Sequence, residues 1–197
     1  MDEKNWTLAG IACLVYAALL PAAFLIAGAE EAVYQAGATN ERVSLGISDF
    51  LFLVLCGVAI FVLVSLKRML FERYSFRGLN LVIALSVAWS LVNYCGSFLL
   101  VLIYSLVSPT SAEPVITGFW VVCIVVFGAI DIATGGVLLL QRKRFGFWLQ
   151  AFAVTTLAGG FFGMSVILAV INLVLVPLGC IALAVEFLRP VDSIEYV

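Results

Sequence analysis

The chain has 197 residues, is 64% hydrophobic and 11% charged, and carries a mean hydropathy of +1.21 and a formal net charge of −2. An ordinary soluble domain is roughly 45–50% apolar and about 25% charged, so this composition excludes a water-soluble core. The charge balance also excludes a nucleic-acid partner, which would require a basic surface. Histidine is absent, which removes His-ligated haem, most zinc, copper and non-haem iron sites, and every Ser-His or Cys-His catalytic pair.

Uninterrupted apolar runs as long as 50–66 do not alternate as barrel strands would, so the spanning elements must be helices. The first predicted span covers about 6–28 and contains Pro21. The leader 1–5 lacks the positive charge of a secretory signal, and the apolar region is too long for one, so this span reads as a retained helix. A polar loop at 29–46, with Glu30, Glu31, Glu41 and Arg42, leads to a second span at about 47–69. That span ends in a basic cluster of Lys67, Arg68, Arg73 and Arg77. The third span covers about 78–107. The loop 108–114 after it has no basic residue, and Pro109 and Pro114 should keep it extended. The fourth span, about 116–140, runs into Arg142, Lys143 and Arg144.

From Gly146 to Leu188 the chain is almost wholly apolar. As a single helix it would be about 64 Å long, roughly twice the thickness of the hydrocarbon. It reads as two spans, 146–163 and 166–188, turning near Gly163-Met164-Ser165. The alternative is one crossing, for five spans in all.

Lys and Arg in short loops set orientation. Seven of the ten basic residues lie in the two clusters, which places 67–77 and 142–144 in the cytoplasm together with the amino terminus. The fold class is therefore an all-α, polytopic integral membrane helix bundle of six transmembrane helices, a single domain over 1–197, in the inner or plasma membrane. Aromatic residues restart the chain after each cluster, Tyr74 and Phe76 in one case and Phe145 and Phe147 in the other. Trp6, Trp120, Trp148, Tyr74 and Phe147 fall near span ends, where headgroup anchoring explains them.

Asp131 is the sharpest candidate for chemistry. It lies mid-span, and no Lys or Arg lies deep in any span to pair with it. A carboxylate there costs roughly 2.5–3.5 kcal/mol on insertion scales. It must be protonated, hydrogen-bonded by neutral groups, reached by water, or paired with an ion or another chain. Ser86, Ser90, Asn93 and Ser97 recur at helical spacing on one face of span three. With a short loop between them, spans three and four are neighbours, so Asn93 could donate to Asp131, with Thr134 one turn further on. The candidate polar site is thus Asp131, Asn93, Ser90, Ser86 and Thr134. It serves either as a pocket for a proton, cation or small polar solute, or as interhelical hydrogen-bond glue worth about 0.6 kcal/mol per contact.

Span five carries a stripe of small residues, Ala151, Thr155, Gly159 and Gly163, ending in a G-x-x-x-G match. Such a stripe lets helices approach closely, within the chain or against a second copy or a membrane partner subunit. The five cysteines are scattered without a C-x-x-C pair and read as small apolar residues. Glu186 falls near the inner end of span six, where it should reach water. No P-loop, metal-ligand spacing or nucleophile motif is present, so no cofactor and no enzymatic activity are expected. The reading is a small transporter, channel-like protein or membrane subunit of a transport system, its polar site around Asp131. The alternative is a non-catalytic membrane scaffold that assembles through helix–helix contacts.

Overall fold

A computed structural model describes residues 3–36, 45–107 and 112–190. Six helices account for most of them: α1 (Glu3–Ala36), α2 (Ile47–Tyr74), α3 (Asn80–Val107), α4 (Ala112–Leu140), α5 (Phe147–Met164) and α6 (Asn172–Leu188). Each belongs to a segment long and apolar enough to cross a membrane, the sixth running from Val166 to Leu188. The chain is an all-α membrane helix bundle. The hairpin between α5 and α6 turns at Ser165, so 146–188 crosses twice and the five-span alternative falls.

Helix ends depart from the sequence reading in three places, each for a local reason. Where a loop is expected from residue 29, α1 continues through Glu30 and Glu31 to Ala36, and 37–44 lie outside the described residues. The Glu30 carboxylate then accepts from the Ile47 and Ser48 N–H groups at 2.7 and 3.3 Å and from Ser48 Oγ at 2.5 Å. It thereby satisfies donors at the start of α2 that the helix itself leaves open. Asp49 adds a further cap, accepting from the Gly46 N–H at 2.8 Å. At its other end α2 extends past 69 and carries Lys67, Arg68 and Arg73 on the helix, stopping where Ser75 turns left-handed at φ 47°. Finally, Pro114 lies in the first turn of α4 instead of an extended loop. The missing N–H of a proline costs nothing in a first turn, where that donor would be unpaired anyway. The rest of the expected loop, 108–111, lies outside the described residues.

The helices form a closed ring. Each packs on its neighbours in the chain, and α6 returns to pack along α1. Contacts also cross between helices that are not ring neighbours: the Tyr16 hydroxyl of α1 bonds that of Tyr94 on α3 at 3.0 Å, and Phe52 of α2 packs edge-on to Trp120 of α4 at 6.0 Å. The basic clusters lie at one end, where Tyr74 and Phe76 both meet Phe145 at 5.3 Å. The aromatic restarts after the two clusters therefore pack on each other.

In lipid, apolar side chains gain nothing by hiding from their surroundings, so helices hold together by close packing. The closest approach is between α4 and α5. A Cβ on Gly135 would lie 2.6 Å from the Ala153 carbonyl oxygen, and one on Gly160 would lie 2.7 Å from that of Gly128. A Cβ on Gly136 would meet nothing within 4 Å. Gly135→Ala and Gly160→Ala should each destabilise the protein by about 1–3 kcal/mol through overpacking. Gly136→Ala should be neutral, or stabilising by roughly 0.5–1 kcal/mol from helix propensity. Thermal unfolding of the purified variants in detergent would rank them, and equal melting temperatures for all three would contradict this packing.

Candidate functional site

Asp131 sits deep between helices. Its charge acts on the Tyr16 and Tyr94 hydroxyls and on the Cys180 thiol, which places α1, α3 and α6 around it. The Asp131 and Tyr16 side chains are each half-buried. Among the described residues, none hydrogen-bonds to the Asp131 carboxyl, and no cation lies at its depth.

The polar stripe on α3 is buried, and among the described residues none of its side chains hydrogen-bonds to Asp131. Ser86, Ser90 and Ser97 donate to the carbonyl oxygens of Val82, Ser86 and Asn93, each four residues back, at 2.9, 2.8 and 2.6 Å. Thr134 does the same to Ile130 at 2.8 Å. Hydroxyls used this way are satisfied by their own helix. The Ser90 carbonyl also accepts from Cys56 Sγ at 3.7 Å, so this part of the stripe faces α2. Asn93 is buried, its Oδ1 has no partner among the described residues, and it makes no bond to Asp131. The hydroxyls near Asp131 belong to Tyr16 and Tyr94, and a Tyr in a span reads first as apolar in a sequence.

The small-residue stripe on α5 faces α6 of the same chain. Asn172 Nδ2 donates to the Gly159 carbonyl at 3.1 Å. A Cβ on Gly163 would lie 3.2 Å from the same Nδ2, and one on Gly179 would lie 2.8 Å from Thr155 Oγ1. Ala151 continues the stripe and its carbonyl accepts from Thr155 Oγ1 at 3.1 Å.

A second polar cluster, not anticipated from the sequence, closes the basic end. Arg73 is buried and donates to the carbonyls of Glu186 and Phe187 at 2.9 and 3.3 Å, capping the C-terminus of α6. Its guanidinium lies over Trp6 at 5.1 Å, and Trp6 stacks on Phe187 at 5.9 Å. Glu186 does not reach water. It is wholly buried, and Tyr74 donates to its Oε1 at 2.5 Å. Its Oε2 has no hydrogen-bond partner among the described residues. A Cβ on Gly146, at the start of α5, would lie 3.6 Å from that atom and 3.1 Å from Arg189 Nη1. Trp6 and Tyr74 are therefore interior groups, not headgroup anchors, and Trp120 also turns inward onto Phe52. Phe147 and Trp148 remain outward-facing.

No family model matches the chain, and no curated protein or solved structure is significantly similar to it. The site must therefore be read from its own chemistry.

Removing the buried cap should cost far more than removing a surface charge. Arg73→Ala leaves two helix-terminal carbonyls unbonded and should destabilise by about 2–3 kcal/mol. Arg68→Ala removes an exposed ion pair with Glu72 at 3.5 Å and should change little. Melting temperatures of the two variants in detergent check this, and an equal effect would show that Arg73 is not a cap.

Proposed function

We propose that the protein is a small transporter, channel-like protein or membrane subunit of a transport system, in which Asp131 engages the transported species. One observation carries this reading: the half-buried Asp131 carboxyl, deep in its helix, has neither a hydrogen bond nor a cation partner among the described residues. The α3 serines, by contrast, are hydrogen-bonded within their own helix. An acid that is left open has a mobile partner by default. The basic residues 67–77 and 142–144 would face the cytoplasm under the positive-inside rule, with Glu30, Glu31 and Asp49 at the opposite end.

The scaffold alternative draws less support. Its helix-docking stripe on α5 is already taken up by α6. An intramembrane enzyme is weaker still, because one carboxylate without a nucleophile or metal set is a poor catalyst.

Reconstitution into vesicles tests the proposal. Wild-type protein should pass protons, sodium or a fluorescent organic cation down an imposed gradient. Asp131→Asn should lower that flux to the level of protein-free vesicles while melting at an unchanged temperature. Equal flux through the wild type and the variant, or no flux above empty vesicles, would refute the assignment.

A further inference from the structure

We propose that the ring carries a lipid seat: a notch between α1 and α4, above the α5–α6 turn and at the end away from the basic clusters, that receives the acyl chains of a zwitterionic phospholipid. The seat does not depend on Asp131 or on the transport reading.

The notch follows from unequal helix lengths. The α5–α6 hairpin sits between α4 and α1, with α5 packed on α4 and α6 packed on α1. It stops short of both. At its turn, a Cβ on Gly163 would lie 3.8 Å from the Ile124 carbonyl oxygen of α4. The α4 helix starts at Ala112, so it overshoots the turn by about 18 Å. On the other flank, a Cβ on Gly10 would lie 3.3 Å from the Ala184 carbonyl oxygen. Antiparallel packing from that point sets Asn172, the first residue of α6, level with Ala22. The α1 helix runs on to Ala36, an overshoot of about 20 Å.

The stripes that the hairpin covers lower down become bare above it. On α4, Gly135 and Gly128 are buried against α5, while Val121, on the same face, is 37% exposed. On α1, Leu188 lies over Gly10, and Cys13 and Ala17 are buried. Further along that face Phe24 is 41% exposed, and a Cβ on Gly28 would meet nothing within 4 Å. Here α1 and α4 do not pack along each other. Phe52 of α2 stands between them, touching Phe24 at 5.3 Å and Trp120 at 6.0 Å.

The floor of the notch is the turn itself. Residues 166–171 form a short 3-10 segment, with Ile167 87% and Val170 65% exposed. Its backbone bonds stay local, Leu168 N–H donating to the Ser165 carbonyl at 3.1 Å. An apolar turn that satisfies itself suits hydrocarbon, and exposed apolar side chains continue above it at Leu25 and Val122.

This floor decides the occupant. A spanning helix, from a partner or a second copy, needs about 30 Å of clear path. Here it would strike the turn after about 15–20 Å. Acyl chains of a single leaflet need only about half the hydrocarbon thickness, and they end where the floor begins. At this end of the bundle the described residues include Glu30, Glu31 and Asp49 and no Lys or Arg. That charge pattern suits a headgroup ending in an ammonium and disfavours an anionic one.

Native mass spectrometry of the purified full chain in detergent, titrated with phosphatidylethanolamine or phosphatidylglycerol of the same chains, tests this. Saturable retention of phosphatidylethanolamine is expected, with phosphatidylglycerol held more weakly. Gly28→Leu combined with Val121→Trp fills the notch from both walls and should weaken retention at least about fivefold. Val122→Trp, on an exposed face of the same helix outside that stripe, should leave retention unchanged. Melting curves confirm folding, and if the double variant is destabilised, Val121→Trp alone is compared with Val122→Trp. A phosphatidylethanolamine carrying a diazirine at its chain end should label 166–171 in preference to the lipid-facing sides of α2 and α3. No saturable lipid, equal retention of phosphatidylglycerol, equal loss in the notch and control variants, or evenly spread label would overturn the proposal. So would a dimer that the notch-filling substitutions disperse, which would give the notch to a second copy.

Discussion

Hydrocarbon offers a protein no hydrogen bonds, and this constraint shapes the bundle. Polar groups inside such a fold must find partners in the chain or carry a cost of several kcal/mol. The structure meets the demand locally wherever it can. Serines on α3 and Thr134 on α4 turn back to their own helices. Helix ends are closed by side chains from other helices: Glu30 of α1 serves the start of α2, and Arg73 of α2 serves the end of α6. These caps also tie together segments that are distant in sequence, so satisfying the backbone and closing the ring are one event. Among the described residues none performs this service for Asp131, and Asn93 Oδ1 and Glu186 Oε2 are likewise left without a partner.

Packing supplies the second requirement. Helices surrounded by lipid associate through surface fit, and glycines supply it where two backbones come nearest. Gly128, Gly135 and Gly160 let α4 and α5 approach until carbonyl oxygens lie where Cβ atoms would otherwise be. The neighbouring stripe on α5 does the same against α6, with Asn172 adding a hydrogen bond. The α5 helix is thus held on two sides, and α4, which carries Asp131, is held rigidly along that side.

Much of this was legible in the sequence because lipid imposes a coarse grammar. Apolar runs gave the six helices, the length of 146–188 required a turn, and an uncompensated acid drew attention to Asp131. Other features were hidden for physical reasons. Arg73 and Glu186 lie near helix ends, where charges ordinarily signal topology and contact water, so their burial together with Tyr74 had no separate mark. Tyr16 and Tyr94 were missed because an aromatic ring in a span hides its hydroxyl. Spacing put Asn93 on a plausible face, but rotation of α3 turned Ser90 of that stripe toward Cys56 of α2. Such rotation is set by packing, which a single sequence does not display. The Gly128 and Gly135 pair, seven residues apart, carries no mark in the sequence like the four-residue spacing on α5.

The proposed transport role requires that water reach Asp131 from within the ring. Thiol chemistry reads this directly. In a variant whose five native cysteines are replaced, Asp131→Cys should react with a small membrane-impermeant, positively charged methanethiosulfonate while the protein remains folded, and Val122→Cys, on the exposed apolar surface of α4, should resist it. Modification of Val122→Cys but not of Asp131→Cys, with both proteins intact in vesicles, would contradict it.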